Sequence, residues 1–204
     1  MKLVLTRPYN DSLEFKKLLE AETGNFTFII EPLLEIEFLK KQLIIDKAAY
    51  YIITSVNSVR SLAKNTDDKA LNIIAVGSSS AKEAEFLGFK NVVSATDMEN
   101  HLFGEKAIIT YINNYINKQN KLIHISANVT KGGIKTELKK LGHNIETIIL
   151  YKSKKKQISE GLRERIVNGE QLGFIFFSPR TAAIFLSEIH EYKQIGRASC
   201  RERV

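Results

Sequence analysis

The sequence predicts an α/β protein with two domains built on parallel sheets. Short apolar, β-rich runs alternate with helical segments along most of the 204 residues, which is the pattern of strand–helix–strand units. This alternation breaks at residues 31–40 and again at 151–157. We therefore predict two domains joined by two adjacent linkers, with a first domain that is discontinuous in sequence.

The amino-terminal elements follow from local patterns. KLVLT predicts a strand, and a helix over 11–22 ends at the stop signal Gly24. FTFII, at 26–30, predicts the next strand. The segment EPLLEIEFLKKQL has Pro32 near its start and no clean period, so it is interpreted as a connector.

A second series of strands occupies residues 37–150. AYYIIT, NIIAV, KNVVS, KLIHIS and NIETIILY are five predicted strands with helices between them, enough for a complete doubly wound domain. A helix over 158–167, the strand GFIFFS and a helix after Pro179 follow. Neither end of the chain forms a viable sheet alone, so 1–33 and 155–194 are assigned together to the discontinuous domain.

Charge and composition exclude several classes of protein. The formal net charge is +7, but the aromatic residues interleaved with basic ones that nucleic-acid binding expects are absent. The cluster of Lys152 and 154–156 is either a solvated linker or a source of attraction for a polyanionic small molecule. The sequence contains one cysteine, no metal-ligand spacing, no signal peptide and no membrane span. We expect a cytoplasmic protein without metal, nucleic-acid or membrane partners.

Three strand-to-helix junctions carry the candidate binding chemistry. They contain TSVNS after one strand, GSSS after the next, and SPRT after GFIFF. Small hydroxyl and amide residues at a helix start cap the helix, and the exposed N–H groups there bind anions. Capping alone explains any single junction.

Several of these segments together resemble one family. LVLTRP, PLLEI, IITSVNSV, AVGSSSA followed by LGF, LKKLGHNIETIILYKS and FIFFSPRTA stand in the order found in the uroporphyrinogen-III synthase family. The resemblance covers most of 1–189. It implies two flavodoxin-like doubly wound domains, the first discontinuous, joined by a two-stranded linker, with the substrate held in the cleft between them. It further implies a monomeric lyase without a cofactor that closes hydroxymethylbilane into a ring, with loss of water and inversion of ring D, in haem biosynthesis.

The same resemblance implies site residues. The departing hydroxyl of hydroxymethylbilane needs a proton, and a phenol is a proton donor at neutral pH. Tyr151 in ILYKS matches the tyrosine proposed for that role in the family; an amphipathic linker residue is an equal alternative. The implied substrate-binding residues, which would hold the eight carboxylates, are Arg7, Thr54, Ser55, Asn57, Gly77, Ser78, Ser79, Ser80 and Ser178.

The last ten residues are interpreted as foreign. IGRASCRERV, at 195–204, resembles an in-frame reading of a widely used sequencing adapter, and we assign it to a cloning or assembly scar. Without it the formal net charge falls from +7 to +5. A complete family member would continue for about 50 residues, the scale of a further strand–helix–strand unit. The first domain is therefore expected to be truncated and incomplete, and the chain unstable or inactive.

Two other classes of function remain as alternatives. The residues at these junctions indicate anion binding more clearly than they indicate a catalysed reaction. The main alternative is therefore a non-catalytic two-domain module that binds an anionic small molecule. A signalling domain of the response-regulator type is disfavoured, because LTRP at the end of the first strand has no acidic cluster.

Overall fold

The computed structural model describes residues 1–23, 26–99, 101–128 and 133–190. The predicted foreign tail at 195–204 lies outside the described residues. In chain order the elements are β1 (Lys2–Leu5), α1 (Tyr9–Thr23), β2 (Thr27–Ile30), β3 (Leu34–Phe38), β4 (Tyr50–Ile53), α2 (Val56–Ala63), β5 (Asn72–Ala75), α3 (Ser78–Phe86), β6 (Asn91–Ser94), α4 (Ala95–Met98), α5 (Gly104–Tyr115), β7 (Lys121–Ala127), α6 (Ile134–Lys140), β8 (Asn144–Lys155), α7 (Glu160–Val167), β9 (Leu172–Ile175) and α8 (Pro179–His190).

The chain divides into two compact units. Unit 1 contains Met1–Ile36 and Lys154–Val204, and unit 2 contains Glu37–Ser153. Both strands β3 and β8 cross this division, and they are neighbours in one sheet. The α/β architecture with parallel sheets that the sequence predicts is confirmed.

Unit 1 is built on three parallel strands in the order β2-β1-β9. Its core includes Val4 of β1, Leu162 of α7 and Phe185 of α8, all buried. The ring centroids of Phe185 and Phe174 are 4.2 Å apart, which packs α8 against β9. A hydrogen bond joins the carboxyl ends of β1 and β9: the Thr6 hydroxyl donates to the Ile175 carbonyl at 2.8 Å.

Unit 2 contains five parallel strands with helices on both faces of the sheet. Alternate residues of a strand point to opposite faces, so Tyr51 and Ile53 of β4 pack on the side of α2 and α3. Ile52, between them, packs on the side of α5 and α6. A parallel sheet covered on both faces has near-continuous apolar strands, which is why YYII, NIIA and KLIHISA lack alternation.

The order of these strands is β6-β5-β4-β7-β8, or 3-2-1-4-5 when the five are numbered along the chain. This differs from the order 2-1-3-4-5 of flavodoxin. Right-handed crossovers through α2 and α3 extend the sheet twice in one direction on one face. The chain then returns through α5 on the other face, so the direction changes between β4 and β7.

The segment interpreted as a connector forms a strand. Leu34, Ile36 and Phe38 alternate with two glutamates, and this period of two suits a strand at a sheet edge. The Leu39 N–H donates to the Leu150 carbonyl, and the Lys156 N–H donates to the Leu33 carbonyl. Strand β3 therefore runs antiparallel to β8, and most of the lysine-rich segment belongs to β8.

Two buried histidines in unit 2 make stability sensitive to acid. Burial lowers the pKa of His124, and burial together with the Lys118 charge lowers that of His143. An unfolded histidine gains its proton near pH 6.5, whereas these two stay neutral in the folded protein to a lower pH. The free energy of unfolding is therefore greatest above pH 6.5 and decreases as the pH falls below it.

We expect His124→Leu to reduce this acid sensitivity, because leucine at this position, opposite Ile52, has no group that gains a proton. The measurement is the urea midpoint at about pH 7.5 and about pH 5. His101→Asn, at an exposed position with a positive φ of 79°, should keep the full dependence. An equal loss of stability in acid for all three proteins would contradict the prediction.

Candidate functional site

The carboxyl ends of the parallel strands of unit 2 bring the predicted residues together. Ligands of open α/β sheets bind at this edge, near the position where the strand order changes direction. Thr54 and Ser55 follow β4, and Gly77 lies two residues beyond β5. Tyr151 of β8 pairs with Ala127, the last residue of β7. Residues that are far apart in the sequence thus meet at one edge.

Helix α2 begins at this edge with a capped first turn. Ser55 is extended, and its Oγ accepts a hydrogen bond from the Ser58 N–H at 3.1 Å. Thr54 and Asn57 are half-buried on either side. The N–H groups of Val56 and Asn57 have no partner within the helix, because the first turn of any helix leaves its donors unpaired.

Helix α3 begins without a side-chain cap. Gly77 is its N-cap residue, and a Cβ at this position would lie 3.3 Å from Thr96 Oγ1, so the close packing favours glycine. Ser78 and Ser79 are exposed, whereas Ser80 is buried. The N–H groups of Ser78 and Ser79 are unpaired within the helix. Donors and the positive end of the helix dipole at an exposed start suit a carboxylate.

An ion pair joins the two helices. Arg60 Nε of α2 lies 2.7 Å from Glu83 Oε1 of α3, and both side chains are largely buried. This contact links the bodies of the helices that present their first turns at the same edge.

Tyr151 is positioned by an irregularity in the sheet. The pairing of β7 with β8 passes from Ser126–Ile149 to Ala127–Tyr151 and so skips Leu150. Such a bulge offsets the alternation of side chains by one residue. The Tyr151 hydroxyl then lies 3.0 Å from Ser55 Oγ, on the face where Leu150 packs with α2.

The backbone around Tyr151 is held by the neighbouring strand. Asn128 donates its N–H to the Tyr151 carbonyl at 3.1 Å, and its Oδ1 accepts from the Ser153 N–H at 3.0 Å. The Tyr151 side chain is 8% exposed. Both anchors limit movement of the phenol relative to α2.

Ser58 belongs to this site and was not predicted. It is fully buried, and its Oγ lies 3.1 Å from Ser55 Oγ. A signal was present in the sequence: serines at 55, 58 and 61 recur with the spacing that places residues on one side of a helix. The interpretation of TSVNS as a helix cap accounts for Ser55 alone, so it does not predict Ser58 as a member of the site.

Unit 1 carries the other two predicted residues at the carboxyl edge of its own sheet. The Arg7 guanidinium lies 4.5 Å from the centre of the Phe177 ring, and its Nη2 is 4.0 Å from Asp11 Oδ2. Ser178 Oγ accepts from the Thr181 N–H at 3.2 Å, and Pro179 occupies the first position of α8, where its missing N–H has no cost.

Neither a metal cluster nor a membrane-spanning helix is found in the parts of the chain that the structure describes. Among residues 1–23, 26–99, 101–128 and 133–190, no three His, Cys, Asp or Glu side chains are grouped to hold a metal ion. Over the same residues, no helix is long and apolar enough to cross a bilayer.

A comparison with protein families shows which family the chain belongs to. A family model described as uroporphyrinogen-III synthase HemD matches residues 14–202. The chain belongs to the uroporphyrinogen-III synthase HemD family. The resemblance found in the sequence motifs is confirmed. The match includes residues 195–202, so the assignment of this segment to a foreign tail stays a prediction.

Solved structures of this family share the fold. The uroporphyrinogen-III synthetase of Helicobacter pylori aligns with a TM-score of 0.59 at 16% identity, covering 92% of this chain and 78% of that one. A mutant uroporphyrinogen III synthase of Thermus thermophilus aligns with a TM-score of 0.50 at 14% identity, covering 92% and 77%. No curated protein sequence matches the chain.

In this member of the uroporphyrinogen-III synthase family, the edge of unit 2 combines two chemical capabilities. The first turns of α2 and α3 offer backbone N–H donors to anions. The phenol of Tyr151, bonded to Ser55, offers a proton donor beside them.

Proposed function

We propose that this chain is a uroporphyrinogen-III synthase, a lyase that closes hydroxymethylbilane into the type III ring with loss of water and inversion of ring D in haem biosynthesis. The observation that carries this proposal is the family match over residues 14–202. The shared fold and the anion-binding geometry at the edge of unit 2 agree with it.

Tyr151 is proposed as the proton donor. Loss of the substrate hydroxyl as water requires a proton on that oxygen, and the azafulvene left behind can be attacked by the substituted carbon of ring D. The resulting spiro intermediate fragments and recloses with ring D inverted. The Tyr151 hydroxyl supports this role because it is held by Ser55 rather than by a backbone carbonyl.

Orientation is proposed to come from the helix starts. The substrate carries eight carboxylates and cyclises spontaneously to the wrong isomer, so the enzyme must fix its geometry. Thr54, Ser55 and Asn57 at α2, and 77–80 at α3, are proposed to bind carboxylates through the backbone N–H groups of the two helix starts. Arg7 and Ser178 are proposed as a further carboxylate-binding point within unit 1.

The domain organisation, location and oligomeric state of the protein are also part of the proposal. We propose that 1–33 with 155–194, and 37–150, act as two domains of doubly wound type. The enzyme is proposed to be cytoplasmic and monomeric and to work without a cofactor.

The decisive experiment measures the product isomer and the binding of an octacarboxylate separately. The chain is incubated with hydroxymethylbilane, and the ratio of type III to type I ring is compared with that of a protein-free control. Binding of uroporphyrin III is measured by fluorescence quenching. An excess of type III supports the synthase. Type I alone with binding supports the anion-binding module. Type I alone without binding contradicts both functions if the chain unfolds cooperatively in urea, whereas the absence of cooperative unfolding supports the expected truncation of the first domain.

A further inference from the structure

We propose that Ser55 and Ser58 form a directed hydroxyl chain that stabilises the Tyr151 phenolate and leaves the phenol proton free for the substrate. This inference rests on the proposed function, specifically on Tyr151 as proton donor. It assigns positioning roles to both serines, in addition to the helix cap that Ser55 provides.

The chain of hydroxyls is continuous, and Ser58 is its most deeply buried member. Tyr151 Oη lies 3.0 Å from Ser55 Oγ, which lies 3.1 Å from Ser58 Oγ. Ser58 is 0% exposed, and Ser55 is half-buried. A polar group with no exposure requires a partner, so the hydrogen of Ser58 must have an acceptor, whereas Tyr151 keeps some exposure.

The direction of the chain follows from Ser58. Among the described residues, the only hydrogen-bond partner of Ser58 Oγ is Ser55 Oγ. If Ser58 accepted from Ser55, its own hydrogen would be buried without an acceptor. Ser58 therefore donates to Ser55.

Ser55 is then left with one possible role toward Tyr151. A serine oxygen has one hydrogen and two acceptor positions. The Ser58 N–H fills one acceptor position of Ser55 and the Ser58 O–H fills the other. Ser55 must therefore donate its hydrogen to Tyr151 Oη. The Tyr151 hydrogen has no acceptor among the described residues, so it is available to a substrate.

The proposed step is balanced in protons and electrons. The Tyr151 proton moves to the hydroxyl oxygen of the substrate, the carbon–oxygen bond breaks, and its electron pair leaves with the water. The phenolate keeps its hydrogen bond from Ser55, which now joins a charged acceptor and is stronger. The proton released when ring D regains aromaticity returns to the phenolate.

The test is Ser58→Ala, which deletes the buried hydroxyl and keeps the N–H that Ser55 caps. The matched control is Ser61→Ala, because Ser61 is equally buried in α2 but donates to the Ser58 carbonyl at 2.8 Å, outside the hydroxyl chain. We expect kcat to fall about fivefold in Ser58→Ala, on the scale of one hydrogen bond between neutral groups, and to be unchanged in Ser61→Ala.

A second pair of variants separates the hydroxyl of Ser55 from its position. Ser55→Thr keeps both a cap and a hydroxyl, so its kcat should fall less than that of Ser55→Ala. Ser55→Ala loses both, and kcat should fall about tenfold. Equal activity of the threonine and alanine variants would overturn the proposal.

Two readouts distinguish a positioning role from a structural one. In a Tyr151→Phe background, Ser58→Ala should have no further effect on kcat, because Ser58 acts through the phenol. By carbon NMR at neutral pH, the Tyr151 Cζ resonance, identified as the one that disappears in Tyr151→Phe, should shift in Ser58→Ala, because the hydrogen bond that Ser55 donates to the phenol oxygen changes. This second readout does not need turnover, so it tests the hydroxyl chain even if the synthase proposal fails. An unchanged resonance overturns the inference and leaves the synthase proposal intact.

Discussion

Replacing Tyr151 with phenylalanine is expected to lower kcat for hydroxymethylbilane by about 10²-fold or more, the usual contribution of a positioned proton donor. The substitution removes one oxygen from a side chain that is 8% exposed and bonded to Ser55 at 3.0 Å. KM should change little, because the substitution leaves in place the helix-start N–H groups that are proposed to bind the carboxylates. The measurement is the initial rate of type III ring formation, with type I counted separately as the spontaneous background.

Tyr51→Phe is the matched control. Tyr51 is 1% exposed in β4, and its hydroxyl bonds to the backbone of Asp46 at 3.2 Å, so it has no link to Ser55. Burial raises the pKa of Tyr51, as expected for a structural phenol. The control should lose about 1 kcal/mol of stability and keep its kcat. If both variants retain the same kcat, Tyr151 is not the proton donor.

The positions of most strands and helices could be predicted because their apolar patterns are local. YYII, NIIA and KLIHISA are apolar enough to require burial on both faces, whatever their neighbours are. Strand β3 was interpreted as a connector because Pro32 and the lysines flank it. Its pairing with β8 depends on a partner more than a hundred residues away, which no local pattern reveals.

Strand order could not be predicted from local patterns for a related reason. Whether β6 lies beyond β5 or on the far side of β4 depends on which face each helix covers. The sequences of α3 and α5 do not indicate which face of the sheet each helix covers. The order 3-2-1-4-5 is therefore a property of the assembled sheet, and a flavodoxin-like order was an equally consistent expectation.

The candidate site was predictable only in its outline. Helix starts after strands can be located from TSVNS and GSSS, because small polar residues are needed there. The contact between Tyr151 and Ser55 depends on the bulge that skips Leu150. Ser58 became a candidate only when its burial and its distance to Ser55 were known.

Placing a carboxylate at the start of α3 should have opposite effects on binding and stability. Ser79→Asp introduces a negative charge in the first turn of a helix that has no acidic residue there. The helix dipole should favour this charge by about 0.5 kcal/mol. A substrate carboxylate at the same N–H groups would be repelled, so KM should rise about tenfold, with kcat changed less. Steady-state kinetics and urea unfolding measure the two effects.

Ser79→Asn separates charge from shape, because it resembles aspartate in size and is neutral. It should leave KM close to that of the parent. A rise in KM for the aspartate variant cannot be attributed to unfolding, since the same change stabilises the helix. If KM is unchanged while stability increases, the start of α3 binds no substrate carboxylate, and the first turn of α2 must supply the binding in unit 2.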